Sequence, residues 1–306
     1  MTYDVIVIGG GPAGLSAAIY SSRSRLKTLL IEKAGCGGQI AITDNLENYP
    51  GFEEGINGFD IAVKMEKQAR NFGAEIVYGE VLSLETDEKI KKVIMSEQTY
   101  VAKTIIIASG AGFKKLKVKG ENEFIGRGVS YCATCDGPFF RNKEIAVVGG
   151  GNSALQEALY LTRFANKVNL IHRRDEFRAV KILQERVLKE SKINVILNAT
   201  VEEISGSENI EKIKLKNVKS EQITELNVNG VFIFVGWNPN TKFLSETDIS
   251  LSEDGYIITN DEMQTSIRGV FACGDIRKKL LRQVVTAAGD GAVAAVAAQH
   301  YIESYS

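Results

Sequence analysis

The first 32 residues alternate between short apolar runs and a glycine-rich turn. Residues 4–8 (DVIVI) are mostly β-branched and apolar, as expected for a strand that is buried on both faces. Residues 9–14 (GGGPAG) interrupt this run, and the apolar spacing over residues 15–24 predicts a helix. A second strand at residues 28–31 ends at Glu32. The chain therefore opens with a predicted βαβ unit.

The same pattern returns 140 residues further along the chain. Residues 145–148 predict a strand, residues 149–154 (GGGNSA) a turn, residues 155–164 a helix and residues 168–171 the next strand. The same offset relates Glu32 to His172, the residue that ends each second strand. We interpret this as two nucleotide-binding units of one design.

Later apolar runs complete the predicted fold. Strands are expected at residues 104–108, 231–235 and 269–272, and an alanine-rich helix at residues 284–302. Because the second unit should finish near Trp237, about 60 residues remain, which are too few to form a stable third domain of ordinary size. We expect them to return to the first unit. The predicted fold class is α/β, with two Rossmann-like dinucleotide-binding domains, each three-layered around a parallel sheet, the second inserted into the first.

Length and charge narrow the possible functions. A chain of 306 residues is about twice the usual length of one domain. Lys plus Arg number 37 and Asp plus Glu 38, so there is no overall basic field to attract nucleic acid or an anionic membrane. No apolar run reaches the roughly 18 residues that span a bilayer, and the N-terminus has no signal-peptide pattern. We expect a cytoplasmic protein that binds neither nucleic acid nor membrane.

The first glycine turn has the sequence context of a dinucleotide site. A strand precedes it, a helix follows it, and an acidic residue comes about 20 residues later. Gly9 would permit the tight turn, Gly11 would let the backbone approach a pyrophosphate, and Gly14 would let helix and strand pack closely. Glu32 can accept hydrogen bonds from a ribose 2′-hydroxyl. The alternative, a plain turn without a ligand, is disfavoured by this context.

The second glycine turn differs where the bound nucleotide would differ. Its last position is Ala154, and the carboxylate position is taken by His172, followed by Arg173 and Arg174, with Arg178 one helical turn later. A carboxylate would repel a 2′-phosphate, whereas guanidinium groups bind phosphate in bidentate fashion. The pattern favours NADPH over NADH. The alternative is a solvated basic start of a helix.

Cys132 and Cys135 form a CxxC motif (CATC). Two thiols at this spacing can close a small disulfide ring, and a dithiol beside a hydride source is a natural electron exit. A zinc site would need two more ligands, which Cys36, Cys273 and the 2 histidines do not offer at suitable spacing, so we expect no metal. An inert pair of core cysteines is the other alternative. Asp136 could relay a proton to or from a leaving thiolate, or simply form a turn.

Weaker signals lie at other strand ends. Residues 37–39 (GGQ) follow the second strand, and residues 47–51 (ENYPG) form a polar turn that is equally consistent with a generic loop. Asp275 follows a strand and could meet a ribityl hydroxyl of a flavin, while residues 282–284 (RQV) precede the last helix. Cys36 and Cys273 are expected to be buried small apolar residues.

These motifs together closely resemble the bacterial-type low-molecular-weight thioredoxin reductases, of the flavin disulfide reductase family. The resemblance runs along essentially the whole chain, in family order: GGGPAG (9–14), GGQ (37–39), ENYPG (47–51), CATCDG (132–137), GGGNSALQEA (149–158), HRRDEFRA (172–179), FACGD (271–275) and RQVVTAAGDG (282–291).

The resemblance implies that residues 1–112 and 245–306 bind FAD and that residues 113–244 bind NADPH and carry the CxxC motif. Electrons would pass from NADPH to FAD, then to the Cys132–Cys135 disulfide and then to thioredoxin. Cys135 would face the flavin, Cys132 would attack the thioredoxin disulfide, and Asp136 would act as acid and base. One domain would rotate against the other between half-reactions, and the protein would be a homodimer.

The resemblance also implies which residues bind each cofactor. The FAD residues are Gly9, Gly11, Pro12, Ala13, Gly14, Glu32, Lys33, Gly38, Gln39, Asn48, Val81, Ala108, Gly110, Gly274, Asp275, Arg282, Gln283 and Val284. The NADPH residues are Gly149, Gly151, Asn152, Ser153, Ala154, Glu157, His172, Arg173, Arg174, Arg178 and Gly236.

Two other functions compete with this hypothesis. A flavin thioredoxin reductase that takes electrons from ferredoxin would be expected to lack the arginine cluster, and Arg173, Arg174 and Arg178 are present. A nucleotide-binding redox sensor without turnover would have little need for a CxxC motif beside two dinucleotide folds.

Overall fold

The computed structural model of the chain describes residues 2–43, 46–87 and 90–304, except for the side chains of Ile42 and Cys135. The chain divides into two compact units. The first consists of Met1–Gly112 and Asn238–Ser306, and the second of Phe113–Trp237. The return to the first unit thus comes at residue 238, whereas we expected it at residue 245. The physical reason is Leu244, which is buried in the hydrophobic core of the first unit.

The elements follow one another in the order expected of nucleotide-binding domains. The strands are β1 (Thr2–Ile8), β2 (Thr28–Glu32), β3 (Glu75–Tyr78), β4 (Val81–Thr86), β5 (Lys91–Met95), β6 (Thr99–Ile107), β7 (Ala111–Phe113), β8 (Val129–Ser130), β9 (Glu144–Gly149), β10 (Lys167–His172), β11 (Ile193–Leu197), β12 (Ala199–Gly206), β13 (Ile210–Asn217), β14 (Ile223–Asn227), β15 (Gly230–Phe234), β16 (Trp237–Pro239) and β17 (Val270–Ala272). The helices are α1 (Pro12–Arg23), α2 (Gly58–Asn71), α3 (Ala133–Asp136), α4 (Asn152–Leu161), α5 (Lys181–Lys189) and α6 (Val284–Ser304), and short 3₁₀ helices lie at Gly38–Ile42, Gly137–Phe140, Lys242–Leu244 and Gly274–Ile276.

The sheet of the first unit is built around β1. It runs β3-β2-β1-β6 with parallel neighbours, and β6 continues into antiparallel pairing with β5 and then β4. The second half of β6 pairs in parallel with β17. Because β17 comes from the last part of the chain, it ties that part into the first sheet.

Small residues let α6 pack closely against α1. A Cβ atom at Gly291 of α6 would lie 2.1 Å from the Ala13 carbonyl oxygen of α1, and within the turn between β1 and α1 one at Gly14 would lie 1.8 Å from the Gly9 carbonyl oxygen. Both distances are far below van der Waals contact, so only glycine fits at these positions. Ala294, Ala295 and Ala298 of α6 are buried in the same core as α1. The alanine-rich composition of α6 is thus explained by close helix packing.

The second unit has three layers. Its parallel sheet runs β11-β10-β9-β15-β8. Alternate residues of β9 point to opposite faces: Ile145 and Val147 pack with α4 and α5, whereas Ala146 and Val148 pack with the antiparallel sheet β12-β13-β14. The alternation is the consequence of the two-residue period of a strand.

The predicted fold class is confirmed, with differences in detail. α1 begins at Pro12 and α4 at Asn152, three residues before the predicted starts in each case, because Pro is favoured in the first turn and the glycine turns feed directly into the helices. α4 ends at Leu161 rather than at residue 164. The antiparallel strands β4, β5 and β12–β14 were not predicted. Among the described residues, no helix is long and apolar enough to cross a membrane.

Candidate functional site

The first glycine turn joins β1 to α1 and leaves one stretch of backbone open. Gly9 has φ of 104°, and a Cβ atom there would lie 2.4 Å from the Ala108 carbonyl oxygen, so glycine is required. Gly11, the N-cap of α1, has φ of −73° and would have nothing within 4 Å of an added Cβ atom. The Gly11 backbone is therefore accessible at the N-terminus of the helix, where an anion such as a pyrophosphate is favoured.

The Glu32 carboxylate is fixed beside this turn at the end of β2. It accepts hydrogen bonds from the Gly10 N–H at 2.6 Å and from the Ala34 N–H at 3.1 Å. These bonds orient the carboxylate and leave lone pairs on both oxygens. Glu32 is therefore placed to accept hydroxyl groups from a ligand at the Gly11 backbone.

The remaining expected FAD residues of the first half of the chain lie around β2 and β6. Lys33 is exposed and forms an ion pair with Glu80 at 2.7 Å. Gln39 lies in the 3₁₀ helix Gly38–Ile42, and its amide donates to the Ala111 carbonyl at 3.4 Å. Val81 begins β4, and Ala108 and Gly110 follow β6. Asn48 donates from its side-chain amide to the Gln283 side chain at 2.8 Å, which brings two predicted residues together.

Asp275 offers the clearest test of whether a flavin fits. Its Oδ1 is buried without a hydrogen-bond partner, and burial raises the pKa of its carboxyl group. Arg282 lies nearby, its Nε donating to the Asp275 backbone carbonyl at 3.4 Å and its guanidinium group stacking 4.0 Å from the centre of the Tyr256 ring. An orphaned buried acceptor at a strand end suits a ligand that carries hydroxyl groups, as the ribityl chain of FAD does. The residues present fit the cofactor.

Sequence reasoning missed a mostly buried ion cluster next to Asp275. Asp290 of α6 accepts from the Lys279 ammonium group at 2.7 Å and from the Gly274 N–H at 3.1 Å, and its other oxygen lies 3.2 Å from Arg277. The cluster fixes the Gly274 backbone, which precedes Asp275 directly. No local sequence motif predicts this cluster, because its members are separated along the chain by turns and by the first part of α6.

The second glycine turn, between β9 and α4, repeats the geometry of the first. A Cβ atom at Gly149 would lie 2.4 Å from the Phe234 carbonyl oxygen, whereas one at Gly151 would have nothing within 4 Å. Asn152 accepts the Val180 N–H at 2.8 Å through its side chain. Ser153 and Glu157 follow on α4, and Gly236, with φ of 127°, follows β15. Gly151 again exposes backbone at the start of a helix.

The end of β10 places positive charge beside this turn. His172 is buried, its Nε2 is without a hydrogen-bond partner, and a Cβ atom at Gly150 would lie 2.3 Å from the imidazole ring. Burial and the nearby Arg178 lower the pKa of His172. Arg173, Arg174 and Arg178 are exposed, and the Arg178 N–H donates to the Gly150 carbonyl at 2.8 Å. Exposed guanidinium groups beside an open helix start fit a dinucleotide with an additional phosphate.

The Cys132 sulfur forms a disulfide at the start of α3. Its Sγ lies 3.4 Å from the Thr134 hydroxyl, and its N–H donates to the Ser130 hydroxyl at 3.0 Å. The backbone of Cys135 lies in α3, but its side chain lies outside the described part of the chain. Asp136 is half-buried and donates from its N–H to the Cys132 carbonyl at 3.2 Å. The unit with the arginines thus also carries the disulfide.

The other cysteines are free thiols. Burial and the neighbouring carboxylates of Glu66 and Glu32 raise the pKa of Cys36 to about 12, and burial raises that of Cys273. Both therefore stay protonated and unreactive at neutral pH. Within residues 2–43, 46–87 and 90–304, no group of at least three His, Cys, Asp or Glu side chains is arranged to hold a metal ion.

Comparisons with known proteins agree with this geometry. The family profile described as pyridine nucleotide-disulphide oxidoreductase matches residues 3–291. Thioredoxin reductase of Bacillus subtilis (strain 168) is 49% identical over 302 residues, which cover 98% of this chain and 95% of that protein. The crystal structure of Lactococcus lactis thioredoxin reductase (FR conformation) has a TM-score of 0.96 and 48% identity, covering 99% of each chain. The crystal structure of T. acidophilum thioredoxin reductase has a TM-score of 0.94 and 35% identity, covering 100% of this chain and 99% of that one.

Proposed function

Because this chain belongs to the pyridine nucleotide-disulphide oxidoreductase family, we propose that it catalyses the NADPH-dependent reduction of the disulfide of thioredoxin. In the overall reaction NADPH and one proton supply two electrons and two protons, the thioredoxin disulfide becomes a dithiol, and NADP⁺ is released. FAD and NADPH are the cofactors of this family of reductases.

The observation that carries the proposal is the disulfide at Cys132. It lies in the same unit as a glycine turn flanked by Arg173 and Arg174, and the chain also has a glycine turn flanked by the carboxylate of Glu32. One chain therefore combines a disulfide with two open helix N-termini, each suited to a pyrophosphate, that are flanked by side chains of opposite charge. A plain nucleotide-binding protein needs no such disulfide.

The residues of each unit suit one cofactor. In the first unit, the Gly11 backbone binds the pyrophosphate of FAD, Glu32 accepts its ribose hydroxyls, and the orphaned Asp275 Oδ1 accepts a hydroxyl of its ribityl chain. In the second unit, the Gly151 backbone binds the pyrophosphate of NADPH. Arg173 and Arg174 bind its 2′-phosphate, which would be repelled by a carboxylate at the position of His172.

The chemistry that bound FAD would supply is the transfer of an electron pair from NADPH to the disulfide. We propose that Cys135 receives that electron pair and that Cys132 attacks thioredoxin. Asp136 follows them at once in the chain and holds or releases the proton that a thiolate gains or loses. Rotation of one domain against the other between the two half-reactions belongs to the same proposal.

An anaerobic titration with NADPH, and separately with NADH, tests the proposal. NADPH should bleach the flavin and store about four electrons per flavin, two in each redox couple. Cys132→Ser and Cys135→Ser should each store about two electrons, keep NADPH-dependent bleaching and lose turnover with thioredoxin. Cys36→Ser is the matched control, since it removes a free thiol and should leave about four electrons and full turnover.

Other outcomes would contradict the proposal in distinguishable ways. Full turnover in Cys132→Ser would show that the disulfide is not the electron exit. If neither nucleotide bleached the flavin while reduced ferredoxin did, the electron donor would be ferredoxin. If nucleotide bound tightly without consumption of NADPH in the presence of thioredoxin, the protein would be a sensor rather than an enzyme.

We also propose that the protein is a cytoplasmic homodimer. An open groove of about 890 Å³ on the first unit supports a second copy as partner, because exposed apolar side chains such as Val293 and Val296 of α6 line it. Analytical ultracentrifugation should give twice the monomer mass. Val296→Lys should shift the protein towards the monomer if this face is the interface, and cell fractionation tests the location.

A further inference from the structure

A wholly buried carboxylate lies close to the redox segment of the second unit. Glu121 has an exposed fraction of 0% and accepts hydrogen bonds from the N–H groups of Leu116 at 2.8 Å and Lys117 at 2.5 Å. It also accepts the hydroxyl group of Tyr131 at 2.7 Å. Lys117 has φ of 64°, a left-handed conformation that is uncommon outside glycine. Glu121 therefore fixes a strained turn and the Tyr131 side chain together.

Tyr131, the residue before Cys132, is held at its ring as well as at its hydroxyl group. The ring stacks on Phe113, with centroids 5.8 Å apart, and Phe113 packs on Trp237 at 4.8 Å. Burial and the hydrogen bond to Glu121 raise the pKa of Tyr131, so its hydroxyl group stays a donor throughout the pH range of thiol chemistry. The side chain is thus anchored to a buried charge at one end and to an aromatic stack along its ring.

The backbone of Cys132 is fixed directly beside this anchor. Its N–H donates to the hydroxyl group of Ser130 at 3.0 Å, and that hydroxyl group lies 3.2 Å from the Cys132 carbonyl oxygen. Ser130 is itself 4% exposed. Ser130 and Tyr131 are therefore both immobilised by their contacts. The backbone of Cys132, and with it the direction of its Cα–Cβ bond, is thus fixed before any substrate binds.

We propose that Glu121 and Tyr131 are positioning residues for the disulfide chemistry of Cys132, an inference that rests on the function proposed above. In that chemistry the Cys132 thiolate forms a bond to one sulfur of the substrate disulfide. The substrate S–S bond breaks, and its other sulfur leaves as a thiolate that takes up a proton. This exchange depends on alignment of the attacking sulfur with the breaking bond, and small displacements reduce the rate strongly.

The same anchoring favours the closed disulfide of Cys132 over the open dithiol. A fixed backbone raises the effective concentration of one thiol towards the other, since less conformational freedom is lost when the ring closes. Loosening Tyr131 should therefore make the disulfide easier to reduce. This readout is an equilibrium property that needs neither thioredoxin nor turnover.

Tyr131→Phe tests the proposal, because it keeps the ring on Phe113 and removes only the hydroxyl group. The matched control is Tyr3→Phe in the first unit: the Tyr3 hydroxyl group donates to Glu75 at 2.8 Å, and Tyr3 is 5% exposed. Each holoenzyme is equilibrated in dithiothreitol redox buffers, and the alkylated fraction of Cys132 is measured by mass spectrometry. Turnover with thioredoxin is measured in parallel. Emission of Trp237, the one tryptophan in the sequence, reports whether the stack is intact.

We expect Tyr131→Phe to shift the dithiol–disulfide equilibrium about fivefold towards the dithiol and to lower kcat with thioredoxin about tenfold. The KM for NADPH and Trp237 emission should not change. Tyr3→Phe should match the wild type in each assay. An unchanged equilibrium in Tyr131→Phe would overturn the inference, even if the enzyme reduces thioredoxin. A wild type that fails to reduce thioredoxin would instead overturn the proposed function, while the equilibrium shift would still decide the role of Tyr131.

Discussion

Replacing Gly11 by alanine tests whether the open backbone of the first glycine turn is a binding surface. Gly11 has φ of −73° and ψ of −177°, a conformation that any residue adopts, and an added Cβ atom meets nothing within 4 Å. Alanine reduces the entropy of the unfolded chain by about 0.4–1 kcal/mol, and its poorer N-capping offsets a similar amount. The free energy of unfolding of the FAD-free protein should therefore change by less than about 1 kcal/mol.

Binding of FAD should respond very differently. The new methyl group occupies space through which a pyrophosphate reaches the N–H groups at the start of α1. The loss of one hydrogen bond to a charged group costs about 1.5–3 kcal/mol. At about 1.4 kcal/mol per tenfold, the Kd for FAD should rise about 10- to 150-fold. Urea unfolding of the FAD-free protein and fluorescence titration with FAD measure the two quantities separately.

Gly14→Ala is the matched control within the same turn. Its Cβ atom would lie 1.8 Å from the Gly9 carbonyl oxygen, so helix and strand would have to separate. Such overpacking costs about 1–3 kcal/mol or more, and it should lower the stability of the FAD-free protein. If Gly11→Ala destabilised that protein as much as Gly14→Ala, or bound FAD like the wild type, the assignment of Gly11 as open backbone would be refuted.

Three further predictions concern charge. Asp275→Asn should stabilise the FAD-free protein at neutral pH. Burial raises the pKa of the Asp275 carboxyl group above 3.8, so the wild-type folded state loses stability as the pH rises from 3.8 through the raised pKa. Urea unfolding at several pH values should show that the stability gained by Asp275→Asn shrinks as the pH falls towards 3.8. His172→Gln should reduce the loss of stability below pH 6.5. Because the pKa of His172 is lowered in the folded state, that state binds fewer protons than the unfolded state below pH 6.5, which costs up to about 1.4 kcal/mol of stability per pH unit. Thermal unfolding of both proteins at pH 5.5 and pH 8 measures this difference. Arg173→Ala combined with Arg174→Ala should weaken NADPH binding about tenfold or more while leaving NADH nearly unchanged, and Arg186→Ala on α5 should change neither; equal losses for both nucleotides would contradict the phosphate assignment.

The repeated βαβ units were predictable because each glycine turn lies between apolar runs of different period. The last four residues of β1 and the last five of β9 are buried, so each strand ends in a continuous apolar run, whereas the helix after the turn repeats its apolar face every three or four residues. The antiparallel strands were missed although β13 alternates clearly, with Ile213 and Leu215 buried between lysines. Lysines at positions 212, 214 and 216 make the average composition of β13 polar, which hides the alternation.

The candidate site was only partly predictable for a different reason. The roles proposed for Gly11, Glu32 and Arg173 depend on their own backbone or side chain at a fixed place in a motif, so spacing identifies them. Glu121 and Asp290 bind partners that only folding brings to them: backbone N–H groups for both, the Tyr131 hydroxyl group for Glu121, and Lys279 and Arg277 for Asp290. A single carboxylate in a charged segment carries no sign of such partners. Buried polar residues of this kind become visible only in three dimensions.

The second unit is one continuous segment, and this has a consequence for protein engineering. In the first unit, the two segments on either side of this insertion are hydrogen-bonded to each other. The Asn240 N–H donates to the Gly110 carbonyl at 3.0 Å, and the Asn240 side chain donates to the Ser109 carbonyl at 2.8 Å. A short loop that replaces residues 113–237 would therefore join ends that need no rearrangement to meet. Such a deletion would yield a minimal flavin-binding module, to which foreign domains could be grafted at the same junction.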